Sequence, residues 1–238
     1  MSGWAAKRFW TASEVVECEG GFTVTLDSRP VRTPLKRLLV VPTEAFAKAI
    51  AEEWGAQEEI VNPSTMPFTR AANAALDKVS AQREDVCELL AAYAGTDLLC
   101  YRATGPKMLI ARQASGWDAH LDWAARRFSA PLKITSGVIP VDQPAESLKV
   151  YLRRVQEFSD FELTGFHDLV AISGSLVLAL AVAEGRISAS EAYDLSRIDE
   201  HWQIEQWGED EEATELAERK RFEFVRAHDV MKMSRLPE

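Results

Sequence analysis

The chain has 238 residues, 37 acidic and 27 basic, for a formal net charge of −10; 47% are hydrophobic and 27% charged. That length suits one large or two smaller domains whose core needs no disulfide or metal staple, and the composition is that of a globular protein. The acidic balance excludes a broadly nucleic-acid-binding surface, which needs clustered cations, and disfavours adsorption to an anionic membrane.

The first forty residues read as β structure. Phe22, Val24 and Leu26 alternate with Thr23 and Thr25, the period of a half-buried strand. Gly20-Gly21 separates this run from Val15–Cys18 and predicts a hairpin, because glycine accepts the positive φ of tight turns. Asp27–Pro30 and Thr33–Lys36 read as further turns, and Leu38–Val41 as the last strand of a meander. Thr43 is positioned as an N-cap, with Glu44 in the first turn where the helix dipole favours an anion. Phe46, Ile50 and Trp54 then recur on one face of a helix that Gly55 stops. Asn62-Pro63-Ser64 marks a domain boundary.

From Met66 the pattern is helical. Pro67 opens one helix, Ser80 is positioned to cap a second that runs to Tyr93, and a third passes through Trp117 and Leu121. Ala145–Phe158 follows. Asp168–Val182 reads as one buried core helix; its uncharged stretch from Leu169 is short of the roughly 20 residues a bilayer demands. Ser188–Glu191 is a capping box opening a helix to Trp207, and a last helix begins near Glu209. The expected fold is α+β: a small β-rich N-terminal domain with one helix, residues 1–62, then a larger all-helical domain, residues 63–238.

Chemistry-bearing motifs are scarce. There is no phosphate-binding glycine loop, and Ser173-Gly174-Ser175 lacks the pattern of a nucleophile elbow. Cys18, Cys87 and Cys100 form no disulfide framework or zinc knuckle and read as reduced thiols. His201 and Glu205, four apart, make only half of a metal site, and a hydrogen-bonded surface pair is the plainer reading. No metal, cofactor or catalytic set is expected. Met1–Trp10 carries Lys7 and Arg8 but no apolar region, so neither a signal peptide nor membrane insertion is expected.

The segment that departs from background is Ser188–Phe224, with twelve acidic residues against four basic ones. At about 100° per residue, Leu195, Ile198 and Trp202 share one helical face. Tyr193, Ile204 and Trp207 share the opposite face, with Glu200 among them and Arg197 one turn earlier, within pairing reach. The first face suits packing on the core helix. The second either packs on the last helix or meets a partner, since aromatics around a charged residue have hot-spot composition.

Several phrases now fall in order: Lys7-Arg8-Phe9-Trp10, Leu26–Pro34, Glu52-Glu53-Trp54, Met66–Asn73, Thr96–Arg102 and Leu195–Glu200, continuing to Gln203 and Trp207-Gly208. Together they resemble the ATP synthase assembly chaperones that bind the free α subunit of the soluble catalytic head, the Atp-twelve family. The resemblance implies a protein that is not an enzyme and uses no cofactor. It would hold the new α subunit of F-type ATP synthase until the β subunit replaces it, and would itself be a monomer when free. The family's partner-binding acidic position falls in the Asp199-Glu200 phrase and transfers to Glu200, with Asp199, Arg197, Tyr193, Ile204 and Trp207 around it. Trp54 matches an important family tryptophan; its stripe with Phe46 and Ile50 makes a structural role the expectation. Eukaryotic members act in the mitochondrial matrix behind a presequence. None is visible here, so the chain resembles a bacterial, cytoplasmic member or a processed form. Two other readings stay open: a small-molecule enzyme with an interdomain site using Asp97, His120 or His201, and a generic acidic interaction module.

Overall fold

In a computed structural model, which describes residues 7–137 and 139–236, the chain divides into two units. Met1–Ala6, part of the segment read for a leader, lies outside the described residues. The first unit comprises Met1–Arg83, Ser159–Gly165 and Asp229–Glu238, the second Glu84–Phe158 and Phe166–His228.

In the first unit, β1 (Ser13–Cys18) and β2 (Gly21–Leu26) form the expected antiparallel hairpin, with Cys18 opposite Gly21. Gly21 has φ +141°, and a Cβ there would sit 2.3 Å from the carbonyl oxygen of Val41, so no other residue fits. The sheet is not a simple meander. β3 (Arg29–Pro30) and β4 (Val40–Val41) both pair with β2, and since β1 holds one edge of β2 they share the other. The turn before β3 puts Asp27 and Ser28 at positive φ. The Asp27 carboxylate accepts from the amides of Ala12 and Thr11, which hold its pKa below the usual range.

The helix α1 (Glu44–Gly55) begins as read, the Thr43 hydroxyl accepting the amide of Phe46 at 3.1 Å. Phe46 and Ile50 are fully buried against Val24, Leu39 and Val41; Trp54 is half-buried, its ring 5.2 Å from that of Trp10. The chain does not divide at residues 62–63, and the reason lies in α2 (Pro67–Asp77). Phe68 and Ala72 of α2 enter the same core, and Asp77 accepts the Thr33 hydroxyl and the Leu35 amide. No side chain of its own caps α2. Buried Glu53 of α1 does so instead, taking the amides of Phe68 and Thr69 at 2.6 and 2.8 Å.

Among its described residues the regular structure of the second unit is helical apart from one short pairing, β5 (Tyr101–Arg102) parallel to β6 (Thr135–Ser136). Its helices are α3 (Arg83–Ala92), α4 (Lys107–Phe128), α5 (Ala145–Gln156), α6 (Asp160–Ser173, entered from the first unit), α7 (Leu176–Ala183), α8 (Ala189–Ser196), α9 (Ile198–Trp207) and α10 (Glu211–Ser234, which ends in the first unit). Ser80 caps nothing; its hydroxyl bonds back to the carbonyl of Leu76. Cys87 and Cys100 are buried, and none of the three cysteines is in a disulfide.

The expected core helix is two helices. Gly174 at φ +68° ends α6, and Ser175 caps α7 by accepting the amide of Leu178. Every residue of α7 is buried. The break is held by Asp97, wholly buried, which takes the Ser175 hydroxyl at 2.8 Å and the amides of Val177 and Leu99 at 3.0 Å each. Burial pushes the Asp97 carboxyl up to about 6, against the pull of those donors.

Candidate partner-binding surface

The acidic segment folds as α8, α9 and the first half of α10, and it is broken where the helical wheel assumed continuity. Arg197 leaves helical geometry at φ −114°, ψ 21°, and its amide closes back on Asp194. Tyr193 belongs to α8, before the break, yet still faces α10 and lines the same groove as Ile204 and Trp207. Tyr193 is only 3% exposed, its hydroxyl bonds to the carbonyl of Ala217 at 2.7 Å and its ring lies 5.8 Å from that of Phe224. The guanidiniums of Arg197 and Arg221 lie over that ring at 5.8 and 5.3 Å. Arg221 is itself fixed by Asp194 and the Ser190 hydroxyl. Tyr193 is thus the joint between α8 and α10.

The inner face packs on α4, while α8 also lies against the apolar α7 as expected. A Cβ on Gly116 of α4 would meet Ile198 Cδ1 at 2.5 Å and Leu195 Cδ2 at 3.3 Å, so glycine permits the close approach. Trp117 donates to the carbonyl of Leu195 at 2.8 Å. Asp199 turns the same way, accepting from Gln113 Nε2 at 2.6 Å, and so stands apart from the outer residues. Glu205 is taken by a bidentate pair with Arg112 at 2.7 and 2.8 Å, not by His201; Arg112 also lies 5.2 Å over Trp202.

What remains outward is a groove between α9 and the first half of α10. Glu200, Ile204 and Trp207 line one side, Ala213, Ala217 and Glu218 the other, and Tyr193 and Arg197 also contribute. Trp207 is 80% exposed. Arg197 Nη1 lies 3.6 Å from Glu200 Oε1, the expected pairing, and leaves the Glu200 side chain 47% exposed. Five of the six predicted surface residues line the groove; Asp199 does not. The α10 wall was missed, although Ala213, Ala217 and Arg221 recur every four residues, the spacing of one helical face.

The residues considered for acid–base work do not meet at a solvent-accessible site. Asp97 is buried and saturated by donors, whereas His201 lines the surface groove. Burial lowers the pKa of His120, in α4. Among the described residues no group of three or more His, Cys, Asp or Glu is placed to hold a metal ion, and no helix is long and apolar enough to cross a membrane.

Fold and surface define a two-unit α+β protein that presents an acidic, tryptophan-edged groove. The sequence pattern of the ATP12 chaperone protein family matches residues 7–125. The crystal structure of Atp12 from Paracoccus denitrificans is 48% identical, with a TM-score of 0.94 over 98% of this chain and 100% of that one. An aspartate-to-lysine variant of the same protein superposes equally well. A protein of Agrobacterium tumefaciens is 40% identical, with a TM-score of 0.91 over 96% of this chain and 86% of that one. The mitochondrial protein atp12 of Schizosaccharomyces pombe is 22% identical over 223 residues, 88% of this chain and 76% of that protein. The chain belongs to the ATP12 chaperone family, the assembly chaperones of the F1-ATPase.

Proposed function

We propose that the chain binds the unassembled α subunit of F-type ATP synthase, covers its interface against aggregation, and is displaced by the β subunit without ATP, through the outer surface of α9 centred on Glu200. The observation that carries this reading is the pairing of a half-exposed carboxylate, Glu200, with an 80% exposed indole, Trp207, on one groove of a chaperone-family chain. A subunit awaiting its oligomer exposes apolar surface that aggregates. A holding protein must cover it, yet less favourably than the true neighbour, so that exchange runs downhill. An aromatic contact ringed by charge has that character, because the aromatics supply contact energy and the carboxylates steer encounter and reject wrong partners. In this reading the chain works as a monomer, with no catalytic step, in the compartment where the α subunit is made or delivered: the cytoplasm of a bacterium, or the mitochondrial matrix for eukaryotic relatives.

Co-expression with tagged α and β subunits supplied separately tests it. The expected result is capture of α and not β by the wild-type chain, and loss of capture by a folded Glu200→Lys variant. Failure of a folded wild-type chain to capture α overturns the function. Equal capture by the variant keeps the function and removes this surface from it.

A further inference from the structure

The groove has a definite chemistry that the identity of the client does not specify. Its apolar lining is Ile204 and Trp207 of α9 and Ala213 and Ala217 of α10. Its edges are acidic: Glu200, Glu209 and Glu218 line it. The cations inside are already committed, Arg197 to Glu200 and the ring of Tyr193, Arg221 to Asp194. Among the described residues no ion pair engages Glu209 or Glu218. The whole Ser188–Phe224 segment carries a net charge of −8.

The backbone adds two constraints. Both walls are helices, and away from the end of α9 and the start of α10 their amides and carbonyls are spent on their own turns, so the length of the groove offers no ladder of donors and acceptors to an extended chain. An occupant that brings its own backbone hydrogen bonds, a helix, fits such walls. α9 also ends in the groove at Trp207 with no basic residue in its last turn, so no cation of its own helix offsets the negative end of its dipole.

We propose that the groove between α9 and the first half of α10 seats a basic amphipathic helix of the client: an apolar side chain enters between Ile204, Trp207, Ala213 and Ala217, and flanking lysines or arginines reach Glu200, Glu209 and Glu218. This rests on the reading of the chain as a client-holding protein and names the kind of element that is held. The charge complementarity selects a cationic helix; the apolar lining separates it from any cation that merely condenses on an acidic surface.

The test uses three synthetic peptides of about 18 residues, five helical turns. The first carries leucine on one face and lysine on its flanks, the second is the same composition scrambled, and the third has glutamate in place of lysine. Binding to the full chain is measured by fluorescence anisotropy. The first peptide is expected to bind at least about tenfold more tightly than the second, and to lose about tenfold in folded Trp207→Ala and Glu218→Lys chains, the scale of a single hot-spot contact. A control variant in the first unit, Glu14→Lys on β1, is expected to leave binding unchanged. Equal binding of the first two peptides, or indifference to both groove substitutions, overturns the proposal. The two readings fail separately: if α subunit is captured through Glu200 while the basic helix ignores the groove, the occupant is wrong and the function stands. If the helix binds the groove and competes with nothing on α, the groove chemistry stands and the client assignment falls.

Discussion

The hydroxyl of Tyr193, on α8, donates to the backbone carbonyl of Ala217, on α10, at 2.7 Å. That bond and the ring packing on Phe224 hold the first half of α10, whose other residues are mostly exposed, at the edge of the groove. Tyr193→Phe keeps the ring and removes the bond; Ala217 stays within its own helix, so the expected cost is about 1 kcal/mol of unfolding free energy in urea. Tyr193→Ala also empties a buried site, and about 3 kcal/mol or more is expected. Equal losses for the two variants would mean that the ring contributes nothing and that this description of the joint is wrong.

A second joint lies in the first unit. Glu53 takes two amides and the Thr69 hydroxyl at the start of α2, with burial raising its pKa and those donors lowering it. Glu53→Ala orphans those donors inside the core, and a loss of about 2 kcal/mol is expected. Glu53→Gln keeps an acceptor oxygen and should recover part of it. Hydrogen exchange at the Phe68 and Thr69 amides is the local readout. Protection unchanged in Glu53→Ala would show that α2 is capped by something else.

Asp97 gives the second unit a specific pH dependence. Its carboxyl is raised from 3.8 to about 6, so the native state binds the proton more tightly than the unfolded chain does. Stability from this group is therefore fully present below about pH 3.8 and is lost as pH rises through about 6, on the order of 3 kcal/mol in all. Other carboxylates titrate over the same range, so the measurement is the difference between wild type and Asp97→Asn in urea from pH 4 to pH 7. Wild type should gain on the variant as pH falls. A difference that stays flat, or grows with pH, contradicts the buried, raised carboxyl.

How far such features were legible depended on how local their causes are. The β1–β2 hairpin was readable because the alternation of Phe22, Val24 and Leu26 and the glycines between the strands lie within a few residues of each other. The start of α1 at Thr43 was readable for the same reason. The break at Gly174 was not. A glycine inside an apolar run costs a helix only about 1 kcal/mol, and the run has no periodicity to interrupt. What decides the break is Asp97, 78 residues away in sequence from Ser175. Asp199 shows the same limit: the carboxylate beside Glu200 turns inward because Gln113, 86 residues away, donates to it. Glu200, Ile204 and Trp207 were legible together because they share one unbroken helix; Tyr193 lies across the break at Arg197, and its bond to Ala217, 24 residues on, is what the wheel could not show.

If the groove binds the α subunit as proposed, salt separates two contributions to that binding. If carboxylates such as Glu200, Glu209 and Glu218 steer association, raising ionic strength shortens the reach of their field to the Debye length, about 8 Å at 0.15 M and about 3 Å at 1 M. The effect should fall on the association rate, whereas the dissociation rate should follow the apolar contact at Trp207. Surface plasmon resonance with immobilised α subunit is therefore expected to show association slowed about tenfold or more between 0.05 and 0.5 M salt, with dissociation changed little. Trp207→Ala should do the reverse, quickening dissociation and leaving the salt dependence intact. A salt-insensitive association rate would remove the acidic edges from the encounter and leave a purely apolar contact. Salt sensitivity lost in Trp207→Ala would mean that the indole and the carboxylates act as one contact, not as an anchor and a field.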